Sequence, residues 1–550
     1  MQNSNKKLDL VIVGAGFAGL YSLYKAQKQN LKAIVIEKAS DVGGTWYWNR
    51  YPGARCDVES MQYSFQFSKE LEEEWEWSEQ YATQPEILKY ANHVADRLNL
   101  KKNIKFDTEV ISAHYQDKSC LWKITDNKNI IYEAEYCIMA TGCLSKINQP
   151  KFQDMHLFKG PILHTGKWPH EKVNLKNKRV GIIGTGSSAI QTIPEIIQDV
   201  KSLHVFQRTP HYTVPARNRP LKYLGKKVYN TNKSPIGYDK DLYVEEIKAK
   251  YKEFRNKAKN SFAALAMPVN EENALEVSAL RREEVYENRW KMGGTPFITA
   301  FLDLNKNRDA NETAAEFVRS KIRSIVKDKN VSEKLLPTYP IGCKRLAVDT
   351  DYYKTFNNPK VNLVDIKNKP IKNFTSEGIV VNDKTYNLDI VIMATGFDAM
   401  TGALLHVDIK GKNNYTLKEK WKNGPKTYLG ITSESFPNMF MVSGPGSPSV
   451  LTNMLVSIEQ HVDWIFECID YMKVNKLKTI EPSKEAENSW VDHNQDVAKD
   501  HVRSSCNSWY IGANIEGKAR IFMPYVGGFP EYVKKCNEVS KNNYEGFHLK

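Results

Sequence analysis

Apolar residues in this chain gather into short runs, and glycine turns follow those runs in a repeated way. Leu8 to Val13 reads Leu-Asp-Leu-Val-Ile-Val and leads into Gly14-Ala15-Gly16-Phe17-Ala18-Gly19, then a helix-like stretch from Leu20. A second run, Ala33 to Ile36, ends at Glu37. The order returns further along. Lys178 to Ile183 contains Val-Gly-Ile-Ile and leads into Gly184-Thr185-Gly186-Ser187-Ser188-Ala189. A helix is expected from near Ser188, and a strand from Leu203 to Phe206 runs into Gln207-Arg208-Thr209. Short apolar runs bounded by glycine predict buried strands, and helices between them predict parallel units. Two further runs end alike: Tyr136-Cys-Ile-Met before Ala140-Thr141-Gly142, and Leu388 to Met393 before Ala394-Thr395-Gly396.

Elsewhere the spacing is helical. From about Asp241 to Lys327, Val244, Ile247, Tyr251, Phe254 and Ala258 form one apolar face, and Val318, Ile322, Ile325 and Val326 another. Asn311 reads as a cap for the latter helix. A helix is also expected from about Val450 to Met472, after Gly444-Pro-Gly-Ser-Pro448. The expected fold is α/β, with two Rossmann-like dinucleotide-binding domains and a helical insertion. The paired Ala-Thr-Gly turns mark the chain crossing between domains. The expected layout is an FAD-binding domain in 1–146 and 388–550, an NADP-binding domain in 147–220 and 336–387, and a helical insertion in 221–335, read as packing beside the mouth of the site.

Each glycine has a task. Gly14 and Gly184 make the tight turns, and Gly16 and Gly186 let the backbone approach a pyrophosphate. Gly19, or Ala189 in the second unit, lets helix and strand pack closely. The pyrophosphate rests on the helix N-terminus, where free N–H groups and the dipole favour an anion. Glu37, 23 residues after Gly14, accepts from ribose hydroxyls and repels a 2′-phosphate. The first unit therefore reads as FAD or NAD, and its N-terminal position favours FAD. Arg208, 24 residues after Gly184, puts a cation where the first unit has a carboxylate, which reads as NADPH. Asp41 to Asp57 is a loop rich in glycine and aromatics, suited to a flat ring system.

Phe158, Gly160, His164, Trp168 and Pro169 stand between the two units. This pattern resembles the fingerprint of the Baeyer–Villiger monooxygenases, flavoenzymes that insert oxygen beside a ketone carbonyl. The resemblance runs from Leu8 to Leu549 and is least distinctive in the helical insert. It implies that Gly44, Thr45, Trp46, Asp57, Tyr63, Val110 and Met454 lie on the flavin side. It implies NADP contacts from Thr185, Ser187, Ser188, Gln191, Thr209 and Lys344, and from Trp509 in a mobile segment, Ser508-Trp-Tyr-Ile-Gly-Ala-Asn514. It makes Arg345 catalytic, with Asp57 orienting it. An Arg is always charged and offers five donors, which suits a peroxide anion on a flavin. The implied reaction takes ketone, NADPH and O₂ to ester or lactone, NADP⁺ and water, through a flavin C4a-peroxide. Bulky or aryl-alkyl ketones and side oxidation of sulfides are expected. The fingerprint residues are read as a domain linker.

Composition narrows the classes further. The 550 residues are 41% hydrophobic and 26% charged, an ordinary soluble balance, and allow roughly three or four domain-sized units. No apolar run approaches the ~18 residues of a membrane span, and the short polar stretch Met1 to Lys7 has no signal-peptide layout. A cytoplasmic monomer or weak homo-oligomer is expected. The net charge of +14 is spread along the chain without a nucleic-acid motif, so it reads as a solvated surface that also attracts a polyanionic cofactor. Cys56, Cys120, Cys137, Cys143, Cys343, Cys468, Cys506 and Cys536 form no Cys-x-x-Cys pair. That disfavours a zinc site or dithiol reductase and predicts free thiols. Two other functions fit the glycine motifs: a flavin-containing N- or S-monooxygenase, and a non-catalytic redox-sensing dinucleotide-binding protein. Trp168-Pro169 and Arg345 favour the ketone enzyme over the first, and the full set of Asp57, Arg345 and Trp509 over the second.

Overall fold

The computed structural model describes residues 6–221 and 247–550. The first unit is built from β1 (Lys6–Val13), α1 (Phe17–Lys28), β2 (Ala33–Ile36) and β3 (Ile131–Met139). β1 lies between β2 and β3 and is parallel to both, so Val13 aligns with Ile36 on one side and Met139 on the other. Strands at 104–105, 110–116, 121–126, 408–410 and 439–441 complete an eight-stranded sheet. Returning residues Met439–Met441 pair in parallel with the C-terminal half of β3. The first sheet is therefore assembled from both ends of the chain.

The second unit comprises β4 (Ile162–His164), β5 (Arg179–Ile183), α2 (Ser187–Ile196), β6 (Ser202–Gln207), β7 (Val361–Asp365) and β8 (Ile390–Met393). All five strands are parallel, in the order β7-β6-β5-β8-β4. β8 therefore belongs to the second sheet, and the expected boundary at 388 is corrected: the chain returns at 394–397. The carbonyl of Ala394 is pressed against Gly184, which locks β8 beside β5. A three-stranded antiparallel hairpin sheet, 371–387, was not foreseen; its Phe374, Ile379 and Val381 share a cluster with Phe158 and Phe206.

The two crossings run side by side. Asn148 N donates to Gly396 O at 2.8 Å, Ile147 bridges Phe397, and Thr395 Oγ1 donates to Asn148 O at 2.5 Å.

The helical region packs on both units: Ile247 and Leu265 join the first unit's core, and Val285, Ala314, Val318 and Ile322 the second's. Val244 lies outside the described residues. Asn311 is no cap. The helix runs Arg308–Ile325, Asn307 caps it, and buried Asn311 donates to the carbonyls of Leu304 and Ile341. The late helix α3 (Met454–Val474) starts four residues after the expected Val450, because Thr452 is extended and Asn453 takes the cap. α3 packs along α1. The expectation of free thiols fails at one pair: Cys343 and Cys506 are joined by a disulfide. The spacing of 163 residues hid a contact made by tertiary folding.

Candidate active site

A cavity of about 1730 Å³ runs across the cleft between the two sheets. Single-ligand pockets span roughly 300–1,000 Å³, so this one has room for two dinucleotides end to end. Gly14, Gly16, Glu37, Gly44, Thr45, Trp46, Asp57, Tyr63, Val110 and Met454 line one half. Gly184, Thr185, Gly186, Ser187, Ser188, Gln191, Arg208, Thr209, Lys344 and Trp509 line the other, with Arg345 also in the wall.

Both glycine turns suit a pyrophosphate. α1 and α2 open at Gly16 and Gly186 without a side-chain cap, leaving their first N–H groups for an anion. A Cβ on Gly186 would meet no atom within 4 Å, so space stands open there. Gly19 and Ala189 do not line the cavity, which corrects their grouping with cofactor contacts. A Cβ on Gly19 would lie 1.8 Å from Gly14 O, so the residue serves helix–strand packing, and Ala189 is fully buried. Glu37 closes the first turn by accepting from Ala15 N at 2.5 Å and Ala39 N at 2.7 Å. Burial raises its pKa, against those donors and Lys38.

On the second side, exposed Arg208 and half-buried Lys344 form no ion pair among the described residues. Burial first, and then the Arg208 charge, lower the Lys344 pKa. Two cations near each other with no carboxylate suit a phosphate. Gln191 faces the cavity, but its amide also ties the halves together: it donates to Arg55 O at 3.0 Å and accepts from Tyr51 OH at 2.8 Å.

Between the halves, Arg345 and Asp57 form a two-pronged pair. Nε donates to Oδ2 at 2.7 Å and Nη2 to Oδ1 at 2.8 Å. Nη1 donates to Val450 O at 2.7 Å. Burial pushes the Asp57 carboxyl upward, but the Arg345 charge and hydrogen bonds outweigh it and hold the pKa below the usual value. The Asp57 charge in turn raises that of Arg345 against burial. The guanidinium is fixed, charged and one-third exposed to the cavity.

Sequence reasoning missed three neighbours of this pair. His211 donates from Nε2 to Arg345 O at 2.8 Å and accepts from Tyr339 OH at 3.1 Å. Burial lowers its pKa to about 4, so it is neutral near pH 7. Arg503 and Tyr510 are the others: burial raises the Tyr510 pKa and the Arg345 charge pulls it down against that, while burial lowers the Arg503 pKa and the like charge of Arg345 lowers it further. The only sequence signals were a His within Thr209-Pro-His and a Tyr following Trp509.

None of Phe158, Gly160, His164, Trp168 and Pro169 lines the cavity. Phe158 packs on the hairpin sheet, and a Cβ on Gly160 would meet Asp389 O at 2.3 Å. His164 donates from Nε2 to Asn148 O at 3.2 Å, on the crossing strand, and accepts from Gly166 N at 2.9 Å. Trp168 is buried in the second core. Among the described residues no group of His, Cys, Asp and Glu is placed to hold a metal, and no helix is long and apolar enough to cross a membrane.

Comparison with known proteins decides what this cavity belongs to. A Baeyer–Villiger monooxygenase of Pseudooceanicola batsensis is 41% identical over 98% of this chain and 95% of its own length. The chain belongs to the Baeyer–Villiger monooxygenases. Residues 11–264 also match the pyridine nucleotide-disulphide oxidoreductase family model, a shared scaffold. A solved oxidised steroid monooxygenase bound to NADP superimposes with a TM-score of 0.91 at 44% identity, covering 99% of both chains. A complex of the OTEMO enzyme with FAD and NADP does so at 0.92 and 36%, again over 99% of both. The relatives' coverage leaves no large part of this Baeyer–Villiger chain unmatched.

Proposed function

We propose that this chain converts ketones to esters or lactones with NADPH and O₂, and that Arg345 is its oxygenation cation. The balance is ketone + NADPH + H⁺ + O₂ → ester + NADP⁺ + H₂O. FAD, held in the first half, would supply the redox chemistry between NADPH and oxygen. The residues present fit it: the uncapped α1, the carboxylate of Glu37 in the wall, and Gly44, Thr45, Trp46, Tyr63, Val110 and Met454 beside it. The second half fits NADP, with α2 toward the pyrophosphate and Arg208, Thr209 and Lys344 toward the 2′-phosphate. Thr185, Ser187, Ser188, Gln191 and Trp509 flank it.

The carrying observation is the Arg345–Asp57 pair at the junction of the halves. Arg345 stabilises negative charge that develops on oxygen as it is inserted. Asp57 aims the guanidinium, and the Val450 carbonyl and His211 steady it. Ser508 and Asn514 line the cavity, and among the described residues their buried Oγ and Oδ1 have no hydrogen-bond partner. Bulky or aryl-alkyl ketones are the expected substrates, with sulfides as side substrates. The layout reads as an FAD domain from 6–146 and 397–550 around an NADP domain. The fingerprint residues couple the two at the crossing strands. We read the protein as a cytoplasmic monomer or weak homo-oligomer.

The test is Arg345→Ala, with ester, hydrogen peroxide and NADPH followed in one vessel. Loss of one preorganised donor costs ~10²–10³ in rate. Ester formation is expected to fall by about that much, while NADPH oxidation persists and yields peroxide. Arg345→Lys keeps a charge beside Asp57 without the fork and falls between. Near wild-type ester per NADPH from Arg345→Ala would remove Arg345 from this role.

A further inference from the structure

The disulfide lies in a place that matters to this site. Cys343 is two residues before Arg345, in a turn closed by Cys343 N donating to Pro340 O at 3.1 Å. Cys506 is three residues before Trp509. Lys344 and Arg345 on one side, and Asn507, Ser508 and Trp509 on the other, line the cavity. The bond therefore stands just behind the wall and clamps together the two loops that form it. Beside it Ser505 Oγ lies 3.9 Å from Cys343 Sγ, Val502 N donates to Asn305 O at 2.9 Å, and beyond the Trp509 turn Asn514 Nδ2 donates to Phe397 O at 2.7 Å. From 499 to 528 the chain has no long helix or strand, only short turns at Val502–Ser504 and Trp509–Ile511. Such a segment owes its position to its anchors.

We infer that Cys343 and Cys506 form a redox-modification site whose oxidation state sets how firmly the Trp509 segment is held over Arg345. This rests on the Baeyer–Villiger reading for the consequence and for the source of the oxidant, not for the thiol chemistry. Cys343 is fully buried, whereas Cys506 is half-buried. An incoming dithiol reaches the Cys506 sulfur. Its thiolate attacks there, the S–S bond breaks, and Cys343 leaves as thiolate. The second thiol then displaces Cys506 and departs as the oxidised dithiol. In the other direction the oxidant is a hydroperoxide. Cys506 thiolate takes oxygen from H₂O₂ and a proton from solvent to give a sulfenic acid and water, and Cys343 thiol condenses with it, releasing a second water. The oxidant is at hand: electrons from NADPH that reach O₂ without a ketone yield H₂O₂. Escaped peroxide thus closes the clamp that keeps the wall in place. In a cytoplasm that keeps thiols reduced, such a bond is regulatory rather than structural.

The experiment compares the holoenzyme before and after dithiothreitol, with Cys506→Ser alongside. Peptide mapping without reductant is expected to give the 343–506 cross-link. Amide hydrogen exchange across 503–512 is expected to rise several-fold on reduction, and the peroxide share of NADPH oxidised to rise with it. Cys506→Ser should match the reduced wild type and ignore the reductant. Exchange unchanged by reduction, or a reductant effect as large in Cys506→Ser, overturns the inference. So does failure to find the cross-link after hydrogen peroxide treatment. Exchange and mapping need no ketone. A clamp that responds without any ester forming would leave this inference standing and sink the functional reading instead.

Discussion

In the first unit Gly14, at φ +104°, lies against the carbonyl of Ala140; in the second Gly184, at φ +113°, lies against that of Ala394. Each alanine ends a parallel neighbour strand, and each begins an Ala-Thr-Gly crossing. The two units are thus the same device used twice, and their differences fall at two places. At the third position of the glycine motif, one unit has Gly19, where no methyl group fits, and the other has Ala189, whose methyl is buried. At the end of the second strand, one has buried Glu37, bonded to the turn, and the other has exposed Arg208 near Lys344. The first difference sets how tightly helix meets strand. The second sets the charge each unit accepts.

The largest expected effect breaks the first difference. Gly19→Ala would put a methyl 1.8 Å from a backbone carbonyl that is part of the phosphate turn. Overpacking costs ~1–3 kcal/mol where side chains can yield, and here backbone must move, so we expect more than ~3 kcal/mol and loss of flavin. Ala189→Gly should cost only ~1–2 kcal/mol, for helix propensity and a buried methyl. Thermal unfolding and released-chromophore content measure both. Equal losses would show that the two helices are packed alike.

Arg208→Ala breaks the second difference. A charged hydrogen bond contributes ~1.5–3 kcal/mol, and each ~1.4 kcal/mol is tenfold. The KM for NADPH should rise by tens of fold with little change for NADH. Lys344→Ala should act in the same direction. Arg208→Glu copies the first unit's charge and should turn preference toward NADH. Equal loss with both coenzymes would give Arg208 a general structural role.

The repeat was legible because it is local. Strand, glycine turn, helix and charged end lie within a few dozen residues, and Gly14, Gly16, Glu37, Gly184, Gly186 and Arg208 all reach the cavity. What was not legible depends on long-range closure. The Cys343–Cys506 bond, the support of Arg345 by His211 and the Val450 carbonyl, and the membership of β8 join distant segments. Asn307 took the cap expected of Asn311 because a buried carbonyl pair claimed Asn311. Local patterns name the modules, and tertiary contacts decide which side chain reaches which.

The smallest effect sharpens the comparison behind the sheets. Each unit is backed by a buried acid. On α3, Glu459 accepts from Gln66 N; in the second unit, Asp349 accepts from Thr213 Oγ1 and from Tyr352 N at 2.9 Å. Burial raises Glu459 to about 7, against the Gln66 N–H and the charges of Lys259 and Arg255, with Asp463 adding to the rise. Burial raises Asp349 to about 6, against its two donors and Arg217, with Asp351 adding to it. A carboxyl whose folded pKa lies above its unfolded value binds more protons when folded. Its stabilisation is complete below the unfolded pKa and is lost as pH rises through the folded one. Wild-type stability should therefore fall by about 1 kcal/mol per pH unit between roughly pH 4.5 and 7 relative to Glu459→Gln. Glu459→Gln keeps an acceptor for Gln66 and cannot ionise. For Asp349→Asn the flattened window should lie lower, between roughly pH 4 and 6. Denaturant unfolding at a series of pH values separates them. The two differ at the upper end, and if both variants flatten the curve up to the same pH, or neither does, the two units do not differ in the acid that backs them.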